Sequence, residues 1–438
     1  AMPAQAFFRM PCGQNIVTER ADPIISPGVV SAHVHQVNGG NGFGFTLDYA
    51  AARKSTCTSC TAKADLSNYW TPILYYQDQQ GKFTKVGQNG MTVYYLQRGT
   101  NTNITAFPEN FRMIAGDPFK RSFSNDFAGQ AVSFVCLDYS GSGAGGEWNY
   151  LPDHACPDGI RAQVFFPSCW DGKNTDSADH KSHVVYPESG SYNGGTCPSS
   201  HPVQLVSIFF EVIFDTSKFT FWQGTSGTKQ PFVFGMGDPT GYGFHGDFVN
   251  GWDIPTLQKA VDTCTNDSGT MEDCHALELN TGDEMAACTI PSSVNEDITG
   301  PLDKLPGCNA VNAGPGEVTP STDCATTPIS GPQIPFTDVT SLGWAYQGCA
   351  NDDVNSRTLT GTSNIYSTNQ ATTDVETCIK SCLGSTYAGL EYGKQCFCGN
   401  SVATDRLPQA SQLGACNMPC AGNSSQVCGG GSQLSLYK

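Results

Sequence analysis

The sequence lacks the features of several broad protein classes. No apolar run reaches the ~18 residues of a membrane-spanning helix, so no membrane crossing is expected. Basic residues are few, since 23 lysines and arginines stand against 40 aspartates and glutamates, and the net charge is −17. This balance argues against nucleic acid or an anionic membrane as a partner.

Motifs for several enzyme chemistries are also missing. The sequence has no G-x-S-x-G nucleophile motif, no P-loop and no dinucleotide fingerprint, because the glycine loop at 141–146 lacks the required strand and helix. Copper oxygenases of the histidine-brace type begin with a metal-binding histidine, whereas this sequence begins with Ala1. We therefore expect none of these chemistries.

Cysteine, in contrast, is abundant, with 20 residues spread along the chain. Their spacings do not fit zinc ribbons, so we predict disulfides formed in an oxidising compartment. N-glycosylation sequons start at Asn103, Asn266 and Asn423. We expect a secreted glycoprotein, extracellular or associated with a cell wall, and take the sequence as a mature form without its signal peptide.

Short alternating apolar segments bounded by turn-forming residues predict strands in the first three-quarters of the chain. The clearest lie at 71–77, 91–97, 130–139, 161–167 and 204–214. Helical periodicity is scarce, and the best helix spans 253–264 with Pro255 in its first turn. The pattern predicts a mainly β, disulfide-rich domain of the β-sandwich or jelly-roll type.

Changes in composition predict two domains joined by a linker. Residues 1–312 are predicted to form a β-rich catalytic domain, and 313–341 are rich in Pro, Ser and Thr, which is typical of an extended linker. Because eleven cysteines precede the linker, we predict that Cys324 is tied back to the first domain. Residues 342–438 hold eight cysteines and no histidine, which predicts a small disulfide scaffold.

The C-terminal segment closely resembles a WSC domain. The resemblance is carried by GWAYQGCANDDVNSRTL, DVETCIKSCLGSTYAGLEYGKQCFCGN and CNMPCAGNSSQVCGGGSQLSLY, and it includes all eight cysteines. WSC domains are small α+β, disulfide-bonded modules of extracellular fungal proteins, among them cell-wall stress sensors and secreted enzymes. The resemblance implies glycan or cell-wall binding.

The first domain resembles a fungal secreted family known only as a domain of unknown function and often joined to WSC modules. The matching stretches are ADPIISPGVVSAHVHQVNGG, YWTPILYY, FPSCWDGKNTDSADHKSHVVYP, CPSSHPVQLVSIFFEV and GDPTGYGFHGDFVNGWD. They span the domain. The resemblance implies a biological context and leaves the reaction to be inferred from the residues.

Three stretches concentrate ionisable side chains, namely SAHVHQ (31–36), DSADHKSHVVYP (176–187) and GYGFHGDFVNGWD (241–253). We predict that the fold brings them together, because imidazoles and carboxylates serve proton transfer and metal binding near neutral pH. In extended backbone His33 and His35 share one face, as do His245 and Asp247. Alternatively, each stretch is a polar turn whose side chains only bond to backbone groups.

Candidate roles follow from the residue types. The carboxylate pair of a glycosidase is expected among Asp247, Asp179, Asp176 and Glu211, the last because it sits inside the apolar run SIFFEVIF and would be half-buried. Histidines and aromatic rings are expected to bind sugar, and about half of the aromatics in these stretches to be core. The proposed binding residues are His33, His35, His180, His183, His245, Tyr242, Trp252, Trp170 and Trp70.

These observations predict a secreted, monomeric glycoside hydrolase that cleaves a fungal or plant polysaccharide without a cofactor and is held on glycan by the WSC module. The first alternative is a metal-dependent polysaccharide hydrolase or lyase. Its divalent cation would be bound by Asp247 with ligands drawn from His33, His35, His180, His183 and His245. The second alternative is a non-catalytic cell-wall protein that only binds glycan.

Overall fold

The structure, a computed structural model, is mainly β, as the sequence predicts. It describes residues 7–28, 30–100, 103–224, 227–294, 296–315, 337, 339–360, 370–408, 416, 418–424 and 426–438. Up to residue 312 the described strands are β1 (Phe7–Cys12), β2 (Val17–Glu19), β3 (His35–Gly39), β4 (Asn68–Pro72), β5 (Leu74–Gln77), β6 (Phe83–Lys85), β7 (Gln88–Leu96), β8 (Arg112–Gly116), β9 (Val132–Cys136), β10 (Gly146–Trp148), β11 (Ile160–Phe165), β12 (Cys169–Trp170), β13 (Val184–Val185), β14 (Ser189–Ser191), β15 (Gly194–Thr196), β16 (Val203–Gln204), β17 (Ser207–Phe214), β18 (Phe232–Phe234) and β19 (His245–Val249). The helices of this part are α1 (Tyr49–Arg53), α2 (Phe127–Gln130), α3 (Ile254–Thr263) and α4 (Gly282–Ala287), with 3-10 turns at Thr216–Lys218, Met271–Asp273 and Pro306–Cys308.

Each segment predicted as a strand contains one, and these are β5, β7, β9, β11 and β17. The predicted helix is α3, which starts after Asp253, whose side chain accepts a hydrogen bond from the Thr256 backbone N–H. Pro255 occupies its first turn, where its missing N–H costs no helical hydrogen bond.

Two antiparallel sheets form a sandwich. The six-stranded sheet has the order β1-β7-β17-β11-β9-β10, and the five-stranded sheet has the order β2-β3-β4-β19-β8. The main core lies between them, where the rings of Tyr69 and Phe210 meet edge to face with their centres 5.6 Å apart. Gly246 allows this close approach, because a Cβ there would lie 2.9 Å from Val164 and 3.0 Å from Phe210.

The five-stranded sheet is covered on its other face by loops. A second apolar cluster, which includes Val37, Trp70, Ile114 and Val249 from the sheet, packs there against Phe43 and residues of the surrounding loops. Both faces of this sheet are therefore buried. The outer face is the one that carries the ionisable residues described below.

Disulfides link distant parts of the sandwich domain, as predicted. The described pairs are Cys12–Cys60, Cys57–Cys288, Cys136–Cys156, Cys169–Cys197 and Cys264–Cys274. Cys308 is also disulfide-bonded, and no free cysteine occurs in the described part of the chain. Cys324, predicted to return to the first domain, and most of the predicted linker lie outside the described residues.

The C-terminal part has its own apolar clusters, formed entirely by residues from Val339 onward. Its elements are β20 (Tyr346–Asn351), β21 (Leu359–Thr360), α5 (Val375–Ser381), β22 (Tyr387–Glu391), β23 (Gln395–Gly399), β24 (Ser401–Val402) and β25 (Gln433–Tyr437), with 3-10 turns at Thr340–Leu342, Gln370–Thr372 and Thr404–Arg406. Strands β20, β25, β22 and β23 form one antiparallel sheet, in that order. Four disulfides hold this α+β module, namely Cys349–Cys416, Cys378–Cys396, Cys382–Cys398 and Cys420–Cys428.

The predicted glycosylation sequons lie on loops. Asn103 and Asn266 are exposed, whereas Asn423 is half-buried in the C-terminal module. Among the described residues, no helix combines the length and the apolar character that a membrane crossing requires.

Candidate functional site

The outer face of the five-stranded sheet brings together two of the three predicted stretches. Along β3, Val37 belongs to the outer cluster, and because strand side chains alternate, His35 lies on the same face. Along β19, Val249 belongs to that cluster too, which places His245 and Asp247 beside it.

Three imidazoles, those of His33, His35 and His245, meet on this face. The Nε2 atoms of His33 and His245 lie 3.2 Å apart, and the ring centres of His33 and His35 are 4.3 Å apart. Each ring offers a nitrogen within 4.8 Å of those of the other two. All three side chains are buried, but His33 and His245 reach the wall of a cavity.

Backbone carbonyls fix the tautomers of two of these rings. His35 Nδ1 lies 3.1 Å from the oxygen of Ala21, and His245 Nδ1 lies 3.0 Å from that of Gly243. Because a carbonyl oxygen only accepts, each Nδ1 carries the proton. Burial lowers the pKa of His245 to about 4, and burial together with the neighbouring imidazoles lowers the pKa values of His33 and His35 well below the usual value. The neutral rings of His35 and His245 therefore keep a lone pair on Nε2.

Asp238 holds the glycine-rich loop that precedes β19. Its carboxylate accepts backbone hydrogen bonds from Gly241 and Gly243 at 3.0 and 2.7 Å, and Arg121 Nε lies 3.5 Å away. A Cβ at Gly243 would come within 2.8 Å of an Arg121 guanidinium nitrogen, so this position requires glycine. The loop thus presents the Gly243 carbonyl that orients His245.

Asp247 is a buried carboxyl group beside the imidazoles. Its Oδ2 atom lies 3.9 Å from His245 Nε2 and has no hydrogen-bond partner in the described part of the chain. Burial raises the pKa of Asp247 well above its usual value, the charge of Asp22 raises it further, and the charge of Lys181 lowers it. Burial also raises the pKa of Asp22 to about 6. A buried polar group without a partner is costly, which marks Asp247 as a candidate functional residue.

A cavity of about 680 Å³ opens over this cluster, and Asp22, His33, His245 and Asp247 are part of its wall. A second cavity of about 480 Å³ adjoins it. We call the two cavities together the site groove, because four residues line both of them, namely Ile114, Asp117, Asp179 and Lys181. The groove consists of two adjoining cavities that are open to solvent, which leaves room for a ligand larger than one enclosed small molecule.

The third predicted stretch contributes to the groove only in part. Its loop lies along the edge strand β8, since the backbone N–H of Ile114 donates to the His180 carbonyl at 3.3 Å. Asp179 is exposed at the groove, where its Oδ1 accepts hydrogen bonds from the backbone of Lys181 and Ser182. Lys181 Nζ donates to the Gly116 carbonyl at 2.7 Å and lies on the groove wall.

His180, His183 and Asp176 have other partners and line neither cavity. His180 Nδ1 lies 2.7 Å from Asp176 Oδ1, and Arg112 Nε lies 3.6 Å from Asp176 Oδ2. Burial opposes the charge of Asp176, but the His180 hydrogen bond and the Arg112 charge keep its pKa below the usual value. Both nitrogens of His183 are engaged, one with Ser177 Oγ and one with the Arg112 carbonyl. The hydrogen bonds and ion pairs of these three side chains therefore hold the turn against β8.

Glu211 is half-buried, as predicted, but lies elsewhere. Arg161 Nη1 lies 3.3 Å from its carboxylate, and the Tyr94 hydroxyl donates to it at 2.8 Å. It lines a smaller cavity whose wall shares no residue with the site groove. The structure therefore separates Glu211 from Asp247.

The predicted aromatic residues divide between core and surface. Trp70 and Trp252 are fully buried, so neither ring presents a face to a ligand. Trp170 is half-buried, and its indole N–H donates to the Asn174 carbonyl at 2.6 Å. Tyr242 lines the smaller cavity of the groove. Trp70 is buried because both faces of its sheet are covered, and Trp252, which follows β19, packs in the main core.

Other groove residues escaped the sequence analysis. Phe119 and Phe123, which are 39% and 43% exposed, line one cavity each. The sequence signal that could have indicated them is the presence of two phenylalanines within the polar segment GDPFKRSFSND. Asn309 also lines the groove and donates to the Ala32 carbonyl at 2.8 Å, next to His33. No sequence pattern distinguished Asn309 or Asp22 from ordinary loop residues.

A hydrogen bond between described residues joins the C-terminal module to the site domain. Ser424 Oγ donates to Asp176 Oδ2 at 2.9 Å. Asp176 belongs to the same loop as Asp179 and Lys181, so the module lies beside one wall of the groove.

Comparison with known proteins supports both resemblances. The sequence profile described as "Domain of unknown function (DUF1996)" matches residues 22–252, which is more than half of the 438-residue chain, and that of the WSC domain matches residues 346–430. A "WSC domain-containing protein" of Arthroderma benhamiae is 34% identical over 166 residues, covering 35% of this chain and 17% of that protein. A WSC domain points to carbohydrate binding.

Relatives outside fungi match a shorter segment. "Xylosyltransferase oxt" of Drosophila melanogaster is 37% identical over 95 residues, or 21% of this chain and 10% of that protein. "Kremen protein 1" of Homo sapiens is 37% identical over 92 residues, or 20% of this chain and 18% of that protein. The chain spans less than a fifth of the length of each of these three relatives.

Proposed function

The chain belongs to the DUF1996 family and carries a WSC domain, and from this premise we propose that it is a secreted carbohydrate-active enzyme. The WSC domain would hold the protein on a glycan, and the site groove would cleave a polysaccharide, most simply by hydrolysis. The disulfides and the WSC domain are consistent with a secreted or cell-surface protein.

The observation that carries the proposal is the carboxyl group of Asp247. It is buried at the wall of an open groove, and its Oδ2 lacks a hydrogen-bond partner in the described structure. A carboxyl group that is buried with no hydrogen-bond partner from the protein on one oxygen is suited to proton transfer with a bound ligand. We assign proton transfer at the glycosidic oxygen or at the attacking water to Asp247.

Asp22 is the best candidate for the second carboxyl group. It lines the same cavity, its charge acts on Asp247, and the backbone N–H groups of Ile24 and Ile25 donate to its Oδ1 at 3.0 and 3.1 Å. Two carboxyl groups in different environments can divide the roles of acid and base. Asp22 therefore takes the place that the sequence analysis gave to Asp176 and Glu211.

The charge of the groove narrows the substrate class. Even without Asp247, whose pKa is raised by burial, its wall carries more acidic than basic side chains, namely Asp22, Asp117, Asp126 and Asp179 against Lys120 and Lys181. A wall of this charge repels a polyanionic chain. We propose an uncharged polysaccharide or one that contains amino sugars, with Phe119 and Phe123 as flat surfaces for sugar rings.

The test is release of reducing ends from a panel of neutral, amino-sugar and uronic-acid polysaccharides by the full-length protein. Asp247→Asn and Asp22→Asn should each lower the rate at least about 100-fold, because general acid–base groups contribute about 10²–10⁴-fold. Glu211→Gln is the matched control and should retain activity. If no polysaccharide yields product and Asp247→Asn sediments with insoluble glycan like the wild type, the protein is a binding protein and the enzymatic proposal is refuted.

A further inference from the structure

We propose that His33, His35 and His245 bind a divalent transition-metal ion, that Zn²⁺ fits the site best, and that one coordination position faces the site groove. This inference goes beyond the enzymatic proposal. It concerns binding alone and holds whether or not the groove cleaves a glycan.

The spacing of the nitrogens suits a shared cation. His33 Nε2 and His245 Nε2 lie 3.2 Å apart, and all three rings offer nitrogens within 4.8 Å of one another. Two nitrogens that each lie about 2.0–2.1 Å from a tetrahedral zinc are roughly 3.3–3.4 Å apart. The His33 and His245 nitrogens therefore already have the spacing of two ligands of one ion, and the His35 ring lies near enough to supply the third.

The hydrogen bonds made by the Nδ1 atoms of two of these rings have the pattern found around histidines that bind a metal. The Nδ1–H groups of His35 and His245 donate to the carbonyls of Ala21 and Gly243. Such bonds fix the tautomer and aim the opposite nitrogen at a metal. The Gly243 carbonyl is itself fixed, because Asp238 holds its loop.

His35 supplies the independent observation that distinguishes a metal site from a hydrogen-bonded pair. If the contact between His33 and His245 were a hydrogen bond alone, those two Nε2 atoms would satisfy each other. His35 Nε2 would still be buried without a partner, as it is in the described structure. Because a buried nitrogen without a partner is unfavourable, the role of third metal ligand accounts for an atom that the pair leaves unexplained.

The donor set selects the class of ion. Three imidazoles suit Zn²⁺ and Cu²⁺, whereas Mg²⁺ and Ca²⁺ prefer oxygen ligands. Thiolate is not available nearby as a competing ligand, since no described cysteine is free. Three protein ligands with one remaining position are typical of reactive rather than structural zinc sites.

The remaining position would point into the groove. His33 and His245 line its wall, while His35 is fully buried behind them. Asp247 Oδ2 lies 3.9 Å from His245 Nε2, and Asp247 lines the same cavity. There it can accept a hydrogen bond from a molecule bound at the open position.

The experiment uses the full-length protein without a polyhistidine tag. After removal of metal with a chelator, it is titrated with Zn²⁺ and separately with Cu²⁺ against a chromophoric competitor, and bound metal is counted by elemental analysis. We expect one ion per chain. His33→Ala and His245→Ala should each lower affinity at least about 100-fold, since loss of even an outer partner costs about 10–100-fold.

His180→Ala is the matched control, because His180 was a candidate ligand in the sequence but is bonded to Asp176 away from the cluster. It should keep wild-type affinity. Should the alanine variants fail to fold, His33→Asn and the visible spectrum of the Co²⁺-loaded wild type replace them, with tetrahedral bands that one equivalent of Zn²⁺ removes. Absence of saturable binding by the wild type, or full affinity in the folded His33 and His245 variants, would overturn the site. Neither result bears on the Asp247 activity test, so the two proposals fail separately.

Discussion

The Nε2 atoms of His33 and His245 lie 3.2 Å apart although 212 residues separate them in the chain. They meet because β3 and β19 both pair with β4 in one sheet, where His245 is the first residue of β19 and His33 lies two residues before β3. Two nitrogens at this distance share either a proton or a cation. Which one they share determines how the protein responds to added metal.

Added Zn²⁺ should stabilise the sandwich domain. A ligand at 100 times its dissociation constant adds about 2.7 kcal/mol to the free energy of unfolding when only the folded state binds it. Thermal unfolding of metal-free protein with and without Zn²⁺ should therefore show an increase in Tm of several degrees. The increase should vanish in His33→Ala and persist in His180→Ala. An equal increase in both variants would place the bound metal elsewhere.

A buried hydrogen-bond chain should make stability depend on pH. The indole N–H of Trp252 donates to the Tyr95 hydroxyl at 2.7 Å, the two tyrosine hydroxyls are 2.6 Å apart, and the Tyr69 hydroxyl donates to Asp65 at 2.6 Å. Burial raises the pKa of Asp65 to about 6, against the lowering effect of hydrogen bonds from Ser67 and Tyr69. The protonated carboxyl is thus favoured in the folded state relative to the unfolded chain.

Because the folded pKa of Asp65 exceeds the unfolded value, this contribution to stability is present at pH 4 and is lost as the pH rises through 6. The loss is about 3 kcal/mol at most. In Asp65→Asn the loss is absent, so the Tm of the variant relative to wild type should improve between pH 4 and pH 7. Glu278→Gln, at an exposed position, should show no such change. A constant difference for Asp65→Asn at both pH values would contradict the assignment.

Removal of Asp238 should destabilise the site and the domain together. Its ion pair with Arg121 is fully buried, and loss of one partner from such a pair costs about 3–5 kcal/mol. Asp238→Ala should lower the midpoint of urea unfolding and also weaken metal binding, because the Gly243 carbonyl loses its support. The double variant Arg121→Leu with Asp238→Leu should recover part of the stability but not the metal affinity. Recovery of both would show that the loop does not depend on Asp238.

Tyr392 is a candidate glycan contact in the WSC domain. It is 54% exposed at the turn between β22 and β23 and has a φ of 54°, a region that a tyrosine occupies at a cost of about 1–3 kcal/mol. Tyr392→Gly should raise the Tm of the module, because glycine adopts this φ freely, and should lower adsorption to insoluble glycan about 2- to 10-fold. Leu383→Ala, which alters another exposed side chain, should leave adsorption unchanged. Unaltered adsorption by Tyr392→Gly would show that the Tyr392 ring is not part of the glycan-binding surface.

Strand periodicity predicted the part of the site that lies on strands. The sequence predicted that His33 and His35, and likewise His245 and Asp247, share one face of an extended segment. His245 and Asp247 do share a face of β19, whereas β3 begins at His35 and His33 precedes it. Loop residues carry no such period. His183 therefore points to the Arg112 carbonyl rather than to the groove, because hydrogen bonds within its own turn determine its direction.

Aromatic residues and distant partners were harder to predict. Trp70 lies on β4, whose sheet is covered on both faces, and Trp252 follows β19 and packs its ring in the main core; this burial is a tertiary fact that a local pattern does not contain. Asp22 and Asn309 join the groove only because segments from opposite ends of the domain meet there. The pairing of Cys57 with Cys288 is likewise absent from the spacing of the cysteines.

That bridge closes a loop of 231 residues and joins the part of the chain that carries His33 and His35 to the segment that follows His245 and Asp247. A protease that cut the exposed loop at 141–146 would leave two polypeptides, each bearing part of the histidine cluster. This bridge and Cys136–Cys156, which also spans the cut, would keep them as one particle, so the nick would be visible on a reducing gel and not on a non-reducing one. The histidine cluster would then stay assembled after its backbone has been cut.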